Sequence, residues 1–373
     1  KKSFISISNP LPKLDKKKIK YFSISDGNYL FKFIKLKDKR LVGESCQTFN
    51  LYPKKGLNIP FSVYNNKFQS KIYINFIKKI SKLKFDCIGL SFVQNSKIIK
   101  TLKKFNKNKI FISKIENYLG YLNRKKIIKE SDAIMIDRGD LAAEIGNEKL
   151  YNAIYSITKC TKKYGKSLIV ATENLDSMIE RFSPTKSEVT SISSDFFLGT
   201  DVIMLSDETA TSDNWHNTLS WLNAFINNLK KIDTFVEDKS EININNSTFE
   251  NISIWNSFNF NKIRKTNFVF FSRSGSSIYQ FQKFNTKNTS FVFTDSKKTK
   301  SLCQFWKNVI CFYVKDLRGF NSSMQVLKII NKYRYEIFSK NIYKIVCIYI
   351  TNPRKGSRAN TIYIVDKKDL KTI

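Results

Sequence analysis

The segment IFISKIEN at residues 110–117 begins as an apolar run and ends in charged and polar side chains. The same pattern occurs at four other places, so that the apolar runs lie at residues 87–90, 110–112, 134–136, 168–170 and 202–205. Short apolar runs separated by segments of helical length predict βα units around a parallel sheet. In a (β/α)₈ barrel, the residues just past the strand ends form the active site. We therefore expect the polar residues after these runs to lie together.

The count of strands leaves two interpretations of this region. A closed barrel needs eight strands, and residues 63–228 supply five. Either the fold is not a closed barrel, or three further βα units belong upstream of Lys1. The helices between the runs are clearer. Leu150, Ile154 and Ile157 fall on one helical face, and Gly165 suits the position just past the end of that helix.

The two regions that flank residues 63–228 differ from it in their predicted secondary structure. Residues 21–25 and 29–33 are strand-like and flank the turn Asp26-Gly27-Asn28, which predicts a β-hairpin in a small β domain. Further apolar runs alternate with helical stretches and predict another α/β layer; they lie at residues 268–271, 290–293, 309–312, 345–350 and 361–365. We predict three domains, at residues 1–62, 63–228 and 229–373.

Composition indicates a globular protein with a strong positive charge. Hydrophobic residues make up 42% of the chain, and 65 Lys and Arg against 31 Asp and Glu give a net charge of +34. The lysines are spread through every segment, and Asn, Ile, Phe and Tyr are abundant, as an A+T-rich genome would impose. We therefore expect no nucleic-acid partner, although the charge keeps that alternative open. A positive potential also attracts phosphorylated substrates.

The sequence favours a cytoplasmic location. No apolar stretch is long enough to span a membrane, so we expect no membrane association. The six cysteines contain no CxxC pair, and several fall inside apolar runs, which predicts reduced, buried thiols. His216 is the only histidine, which argues against a histidine-based triad or a histidine-rich metal site.

Three strand ends carry candidate functional residues. Lys114 and Glu116 are two apart, so both side chains point to the same side of a strand. They form either a structural ion pair or a phosphate-facing lysine beside a metal ligand. Asp140 either caps a helix or, with Glu116, holds one Mg²⁺ ion, which takes one or two carboxylates and fills its other positions with water and substrate oxygens. Thr172 either points a hydroxyl at the same place or serves as a cap.

The turn Asp137-Arg138-Gly139-Asp140 leads from a strand into a helix. The free N–H groups at a helix start bind anions such as a carboxylate.

Taken in order, several strings resemble the pyruvate kinase family. They are SDG at 25–27, GLNIP at 56–60, SFV at 91–93, ISKIEN at 112–117, SDAIMIDRGDLAAEI at 131–145, ATENLDSMI at 171–179, SPTKSEV at 183–189 and GTDVIMLSDETA at 199–210. The resemblance implies an α/β fold: a partial TIM (β/α)₈ barrel with a small β-barrel lid domain and a C-terminal α/β domain. It also implies that the chain begins within the lid, so that the first three barrel units are absent.

The resemblance implies phosphoryl transfer from phosphoenolpyruvate to ADP, which gives pyruvate and ATP in the last step of glycolysis. It implies that Lys114 neutralises the moving phosphoryl group, and that Glu116 and Asp140 hold Mg²⁺ or Mn²⁺. N–H groups around Arg138, Gly139 and Asp140 would receive the substrate carboxylate. Thr172 would lie near the site of proton transfer. The family also uses K⁺, but its K⁺-site residues are absent here, and it assembles as a homotetramer.

Two more sites follow from the resemblance. Asp26 matches a lid aspartate on the nucleotide side. A serine-rich turn resembles the family's effector phosphate loop, because backbone N–H groups and hydroxyls in such a turn can cradle phosphate; its residues are Ser272, Ser274, Gly275, Ser276 and Ser277. An ordinary serine-rich turn is the alternative.

Three departures from the family pattern add negative charge. Asp137 stands where a small neutral residue is usual, Glu173 replaces a glutamine, and Asp207 replaces a glycine. At an effective dielectric constant of about 20, a unit charge about 4 Å away changes an interaction by about 4 kcal/mol. A catalytically impaired relative kept as a scaffold or interaction protein is therefore the alternative to an active kinase.

Overall fold

The computed structural model describes residues 4–7, 11–25, 27–53, 55–80, 82–232, 266–284, 288–315, 317, 323–338, 342–349 and 361–372. The chain forms two compact units. One comprises Lys1–Ile157, Val170–Thr190 and Met204–Ser220, and the other Thr158–Ile169, Ser191–Ile203 and Trp221–Ile373. The domain boundaries expected near residues 62 and 228 stay a prediction.

The N-terminal region forms a four-stranded antiparallel sheet, and the predicted hairpin is present within it. Its strands are β1 (Tyr21–Ile24), β2 (Tyr29–Lys37), β3 (Arg40–Ser45) and β4 (Leu57–Asn58), in the order β3-β2-β1-β4. β1 and β2 pair with Ile24 opposite Tyr29, while Ser23 of β1 lies opposite Asn58 of β4. A small core of Ile19, Phe22 and Ile59 stabilises this sheet.

All five apolar runs of the central region form strands. They are β5 (Cys87–Leu90), β6 (Ile110–Ile115), β7 (Ala133–Asp137), β8 (Ser167–Ala171) and β9 (Val202–Met204), and the sheet order β5-β6-β7-β8-β9 follows the chain. β5, β6 and β7 pair in parallel. Every residue of β7 and β8 is buried, as expected for strands covered on both faces.

Helices connect these strands, as the βα pattern predicts. They are α1 (Asn66–Ile80), α2 (Ser96–Phe105), α3 (Tyr118–Leu122), α4 (Arg124–Glu130), α5 (Arg138–Ile145), α6 (Asn147–Lys163), α7 (Lys186–Leu198), α8 (Asp207–Ala210) and α9 (Trp215–Leu229), with a short 3₁₀ helix at Asp176–Ile179. Ile154 and Ile157 of α6 are buried, while Leu150 on the same face is half-buried, and Gly165 adopts φ +63° just past the end of the helix. The predicted helix and its glycine stop are therefore present.

The C-terminal region contains a second five-stranded sheet. Its strands are β10 (Thr266–Phe271), β11 (Ser290–Thr294), β12 (Val309–Tyr313), β13 (Lys344–Tyr349) and β14 (Thr361–Asp366), in the order β12-β11-β10-β13-β14. β14 alone pairs antiparallel. The described helices between and beside these strands are α10 (Ser276–Phe281), α11 (Lys297–Cys303), α12 (Ser323–Lys332) and α13 (Arg334–Ile337), followed by a 3₁₀ turn at Lys367–Thr372.

The expectation of buried thiols is only partly correct. All six cysteines are free, and Cys303 and Cys347 are buried, but Cys46 and Cys87 are exposed. β5 is an edge strand of its sheet, and the residues at alternate positions, Cys87 and Gly89, lie on a face that the described residues leave exposed. In this edge strand, an apolar run therefore does not mean that both faces of the strand are buried. Among the described residues, no helix combines the length and apolarity needed to cross a membrane.

One carboxylic acid is buried in α5, the helix that follows β7. Glu144 is 5% exposed, and its carboxylate accepts a hydrogen bond from the backbone N–H of Tyr118 at 3.4 Å. Burial raises the pKa of Glu144 to about 8; the Tyr118 N–H opposes this shift, and the charge of Asp140 adds to it. Glu144 is therefore neutral in the folded chain under conditions in which it is ionised in the unfolded chain.

We predict that Gly165→Ala destabilises the chain by about 2 kcal/mol or more, because a left-handed backbone disfavours a Cβ atom and that atom would overlap the Tyr279 carbonyl oxygen. Denaturant unfolding measures the loss. Gly89→Ala is the control, since a Cβ at Gly89 meets nothing within 4 Å. Equal effects of the two substitutions would contradict the prediction.

We predict that Glu144→Gln makes the stability less dependent on pH. The unfolded acid loses its proton near pH 4.5 and the folded one near pH 8, so its contribution falls as the pH rises between these values and is constant above them. The full penalty is on the order of 5 kcal/mol. Unfolding in EDTA at pH 5 and pH 8 measures it, with exposed Glu148→Gln as the control. A pH slope equal to that of the unmodified chain would refute the assignment.

Candidate active site

Strand β6 ends in an ion pair at the edge of the sheet. The Lys114 ammonium contacts the Glu116 carboxylate, and it lies 3.3 Å from Oδ2 of Asp137, the last residue of the neighbouring strand β7. The side chains of Lys114 in β6 and of Glu116, one residue past the end of β6, therefore point to the same side, as their spacing predicts. This contact is compatible with both interpretations of the pair, which are a structural ion pair and a phosphate-facing lysine beside a metal ligand.

Three carboxylates converge beside this lysine. Ligand oxygens of Glu116, Asp137 and Asp140 all lie within 4.8 Å of one another. The sequence predicted Glu116 and Asp140 in this place and treated Asp137 only as an extra charge. Of the two alternatives for Asp140, the helix cap is wrong, because Asp137 occupies the N-cap of α5 and its Oδ1 accepts the Asp140 N–H at 3.5 Å.

Burial and charge oppose each other in this cluster. Burial raises the pKa of Glu116 to about 7, although the Lys114 ammonium and the Phe92 N–H hydrogen bond favour its ionised form. Burial lowers the pKa of Lys114, but the charges of Glu116 and Asp137 outweigh it, so the pKa is raised above its usual value. Lys114 therefore stays an ammonium. With all three acids ionised, the cluster carries a net charge of −2.

Thr172 follows β8 and joins the same group of residues. Its hydroxyl Oγ1 lies 3.1 Å from Asp137 Oδ1 and 2.6 Å from the Ala171 carbonyl oxygen, so its single proton is given to one of these acceptors. The same oxygen accepts the backbone N–H groups of Arg138 and Gly139 at 3.1 and 3.2 Å. These N–H groups, which the sequence assigned to a substrate carboxylate, bond to Thr172 in this structure.

The Arg138 side chain holds the backbone after β8. Its guanidinium donates to the carbonyl oxygens of Thr172 and Glu173 and to Oδ1 of Asn174. Thr172 and Glu173 have φ +64° and +51°, a region that is strained for a residue with a side chain, most of all a β-branched one. Sequence reasoning considered only the backbone of Arg138 and missed this contact.

Asn58 is a further residue that the sequence did not single out. Its amide Nδ2 donates to Asp140 Oδ1 at 2.7 Å. It lies in the string GLNIP, which carried part of the family resemblance, so that string was the available indication.

The other extra acids surround a different carboxylate. Burial first, and then the charges of Glu208, Glu173, Glu188 and Asp207, raise the pKa of Asp176 to about 6. Glu173 and Asp207 thus act on Asp176, whereas Asp137 is the added charge in contact with Lys114.

The remaining predicted positions give a mixed result. Asp26 lies outside the described residues. In the C-terminal turn, Ser272 and Ser277 are buried, Ser272 Oγ accepts the Gly275 N–H at 3.1 Å, and Ser274 Oγ accepts the Ser276 N–H at 3.3 Å. The neighbouring Arg273 guanidinium pairs with Asp295. These hydroxyls satisfy the turn's own N–H groups, so phosphate binding by this turn stays a prediction.

The carboxylate cluster suits a divalent cation such as Mg²⁺. Its oxygen donors are of the type that Mg²⁺ prefers, and its charge of −2 with all three acids ionised matches such an ion. Among the described residues, Asn58 Oδ1 is buried without a hydrogen-bond donor, whereas the Lys114 ammonium contacts Glu116 Oε1. Glu116, Asp137 and Asp140 are the residues that would hold the ion.

Comparison with known proteins identifies the family. The model of a family described as pyruvate kinase, barrel domain, matches residues 13–218, which are 206 of the 373 residues. Pyruvate kinase of Borreliella burgdorferi is 35% identical over 192 residues, which cover 50% of this chain and 40% of that protein. Pyruvate kinase of Thermotoga maritima is 34% identical over 204 residues, or 54% of this chain and 44% of that protein. The matched part spans less than half of each relative.

A crystal structure of a pyruvate kinase from Cryptosporidium parvum superimposes with a TM-score of 0.77 at 21% identity, and the match covers 94% of this chain and 73% of that one. At this identity, the likeness shows the fold. It confirms the predicted fold class, which is α/β with a partial (β/α)₈ barrel, a small β lid and a C-terminal α/β domain. Because the family model matches more than half of its residues, this chain belongs to the pyruvate kinase family.

Proposed function

We propose that this protein transfers a phosphoryl group from phosphoenolpyruvate to ADP, which gives pyruvate and ATP. The observation that carries the proposal is the convergence of one ammonium and three carboxylates at the ends of β6 and β7. Phosphoryl transfer requires positioning and charge neutralisation more than covalent participation by the protein. Family membership supports the same class of reaction, that of a kinase.

Each residue of the site has a role in this proposal. Glu116 and Asp140, with Asp137, would hold Mg²⁺ or Mn²⁺, which supplies charge neutralisation at phosphate oxygens. Lys114 places an ammonium where negative charge develops on the transferred group. The N–H groups of Arg138, Gly139 and Asp140 bind the substrate carboxylate at the start of α5, with the first two exchanging their bond to Thr172. Thr172 holds a proton at Oγ1, near the carbon of the pyruvate enolate that receives a proton after phosphoryl transfer.

The wider assignments belong to the same proposal. The partners are phosphoenolpyruvate and ADP or ATP, and the assembly is a homotetramer. Asp26 lies on the nucleotide side. K⁺ belongs to the family's chemistry, but the residues of its site are absent from this sequence. We place the protein in the cytoplasm, which is supported by a 40% identical relative named as a cytosolic isozyme of Glycine max. A sugar phosphate is the ligand proposed for the turn from Ser272 to Ser277.

We predict that the chain turns over phosphoenolpyruvate and ADP with Mg²⁺ and K⁺ in an assay coupled to pyruvate reduction, and that Lys114→Met lowers kcat by about 100-fold or more. Removal of one preorganised electrostatic group at a transition state costs about this much. Lys103→Met is the matched control, because Lys103 also pairs with a buried acid, Asp132, at 2.7 Å. Unchanged turnover in Lys114→Met would reject the assigned role.

The alternative is a catalytically impaired relative that serves as a scaffold or interaction protein. One observation favours it: Asp137, the acid that departs from the family pattern, contacts both Lys114 and the Thr172 hydroxyl. A carboxylate in this position neutralises the ammonium and repels an anionic substrate.

The substitution Asp137→Ala separates the two functions. For an active kinase, we predict that it weakens the apparent Mg²⁺ affinity about tenfold, because a ligand of −1 charge is lost, and leaves turnover at saturating Mg²⁺ within several-fold of the original. If the chain is instead an impaired relative, we predict that Asp137→Ala raises turnover above the background, because the carboxylate that neutralises Lys114 is removed. Titration of activity with Mg²⁺ measures both, and exposed Asp213→Ala is the control. Unchanged Mg²⁺ dependence and turnover would exclude Asp137 from either role.

A further inference from the structure

Asn58 connects the N-terminal sheet to the carboxylate cluster. It lies in β4, opposite Ser23 of β1, and its side chain is buried, with 4% of the residue exposed. Its Nδ2 donates to Asp140 Oδ1 at 2.7 Å, and β4 packs against α5, the helix that carries Asp140. The last strand of this sheet therefore contacts one of the three converging carboxylates directly.

The chemistry of the two partners fixes which end of the amide faces the acid. An ionised carboxylate only accepts hydrogen bonds, so the amide nitrogen, and not the oxygen, must point to Asp140. The oxygen Oδ1 is then left buried, and no described residue donates to it. An unmatched buried acceptor is unfavourable, which favours a donor other than the described residues.

The position of this oxygen indicates where such a donor would come from. The nitrogen and oxygen of an amide share one carbon, so Oδ1 lies within about 5 Å of the Asp140 oxygen that the nitrogen contacts. That oxygen belongs to a residue whose ligand atoms converge with those of Glu116 and Asp137. Mg²⁺ and Mn²⁺ keep several bound waters, and each of these is a strong hydrogen-bond donor.

A second contact links the same sheet to the same helix. Gly27, in the turn between β1 and β2, has φ +93°, and a Cβ atom built there would lie 3.4 Å from Cβ of Ala143 in α5. The hairpin turn and β4 therefore both lie against α5. Movement of this sheet away from α5 would break the Asn58–Asp140 hydrogen bond.

We propose that Asn58 is a positioning residue for the divalent cation. Its amide nitrogen orients Asp140, and its amide oxygen accepts from water bound to the ion, so that binding of the ion and anchoring of β4 against α5 stabilise each other. This inference rests on the cation site of the proposed function, but not on turnover. Partners that orient metal ligands typically change metal affinity about 10–100-fold when they are removed.

Binding of Mn²⁺ to the full chain, measured by the loss of the free-ion electron paramagnetic resonance signal, tests the proposal without any substrate. We expect Asn58→Leu, which keeps the approximate size but neither hydrogen-bonding atom, to weaken Mn²⁺ binding at least about tenfold. We expect Asn58→Asp to tighten it at least about threefold, because a carboxylate adds charge next to the ion, while lowering the stability of the ion-free chain through repulsion of Asp140. The opposite signs separate this role from a structural one.

The control is Asn267→Leu in the other unit. Asn267 is also buried, and its Nδ2 donates to the Ile337 carbonyl oxygen at 2.8 Å. Its loss removes a comparable hydrogen bond, and we expect Mn²⁺ affinity to stay within twofold of the original. In hydrogen exchange, we also expect Mn²⁺ to slow the amides of Leu57 and Asn58 in the original chain and to have no such effect in Asn58→Leu.

Three results would overturn the proposal. They are unchanged Mn²⁺ affinity in Asn58→Leu, weakening of equal size in both Asn58 variants, and no Mn²⁺ binding by the original chain. If Asn58→Leu does not fold, Asn58→Asp keeps the shape and polarity of the side chain and decides the matter by the sign of its effect. Mn²⁺ binding without turnover of phosphoenolpyruvate would reject the proposed kinase function and leave this inference standing.

Discussion

The structure of this site depends on one ammonium set among three carboxylates. Lys114 contacts Glu116 and Asp137, and Asp140 completes the group within 4.8 Å. Acids at such distances repel one another, and burial adds to the cost of ionising Glu116, which is 0% exposed. One lysine compensates only part of this charge. When all three acids are ionised, the remaining charge of −2 makes the ends of β6 and β7 attractive to a divalent cation.

The backbone around the cluster is held by contacts that reach across neighbouring strands. Asp137 caps α5, pairs with Lys114 and lies within hydrogen-bonding distance of the Thr172 hydroxyl, so a single carboxylate links β6, β7 and the residue after β8. Arg138 then fixes the chain beyond β8 through two carbonyl oxygens and Asn174. These bonds keep the hydroxyl of Thr172 beside the acids. A substitution at any of the three strand ends would therefore disturb the hydrogen bonds and ion pairs at the other two.

Much of the fold could be predicted from the sequence, because strands and helices depend on local periodicity. The five central runs, the hairpin after Tyr21 and the five C-terminal strands all form where apolar patterns indicated them. Lys114 and Glu116 point to one side because strand alternation is also local. The contacts of Asp137 and Asn58 were missed because they join residues far apart in the chain, which no spacing rule reveals. The exposure of Cys87 was missed because burial depends on what covers a strand, not on the strand itself.

The left-handed backbone at Thr172 and Glu173 lowers the stability of the folded chain. Each such residue costs about 1–3 kcal/mol, and glycine would adopt the same torsion angles without that penalty. Glycine at position 172 would relieve that strain but would also remove the hydroxyl that accepts the N–H groups of Arg138 and Gly139. The conformational cost at position 172 is therefore offset by what its hydroxyl joins, which is the start of α5 and the residue that follows β8.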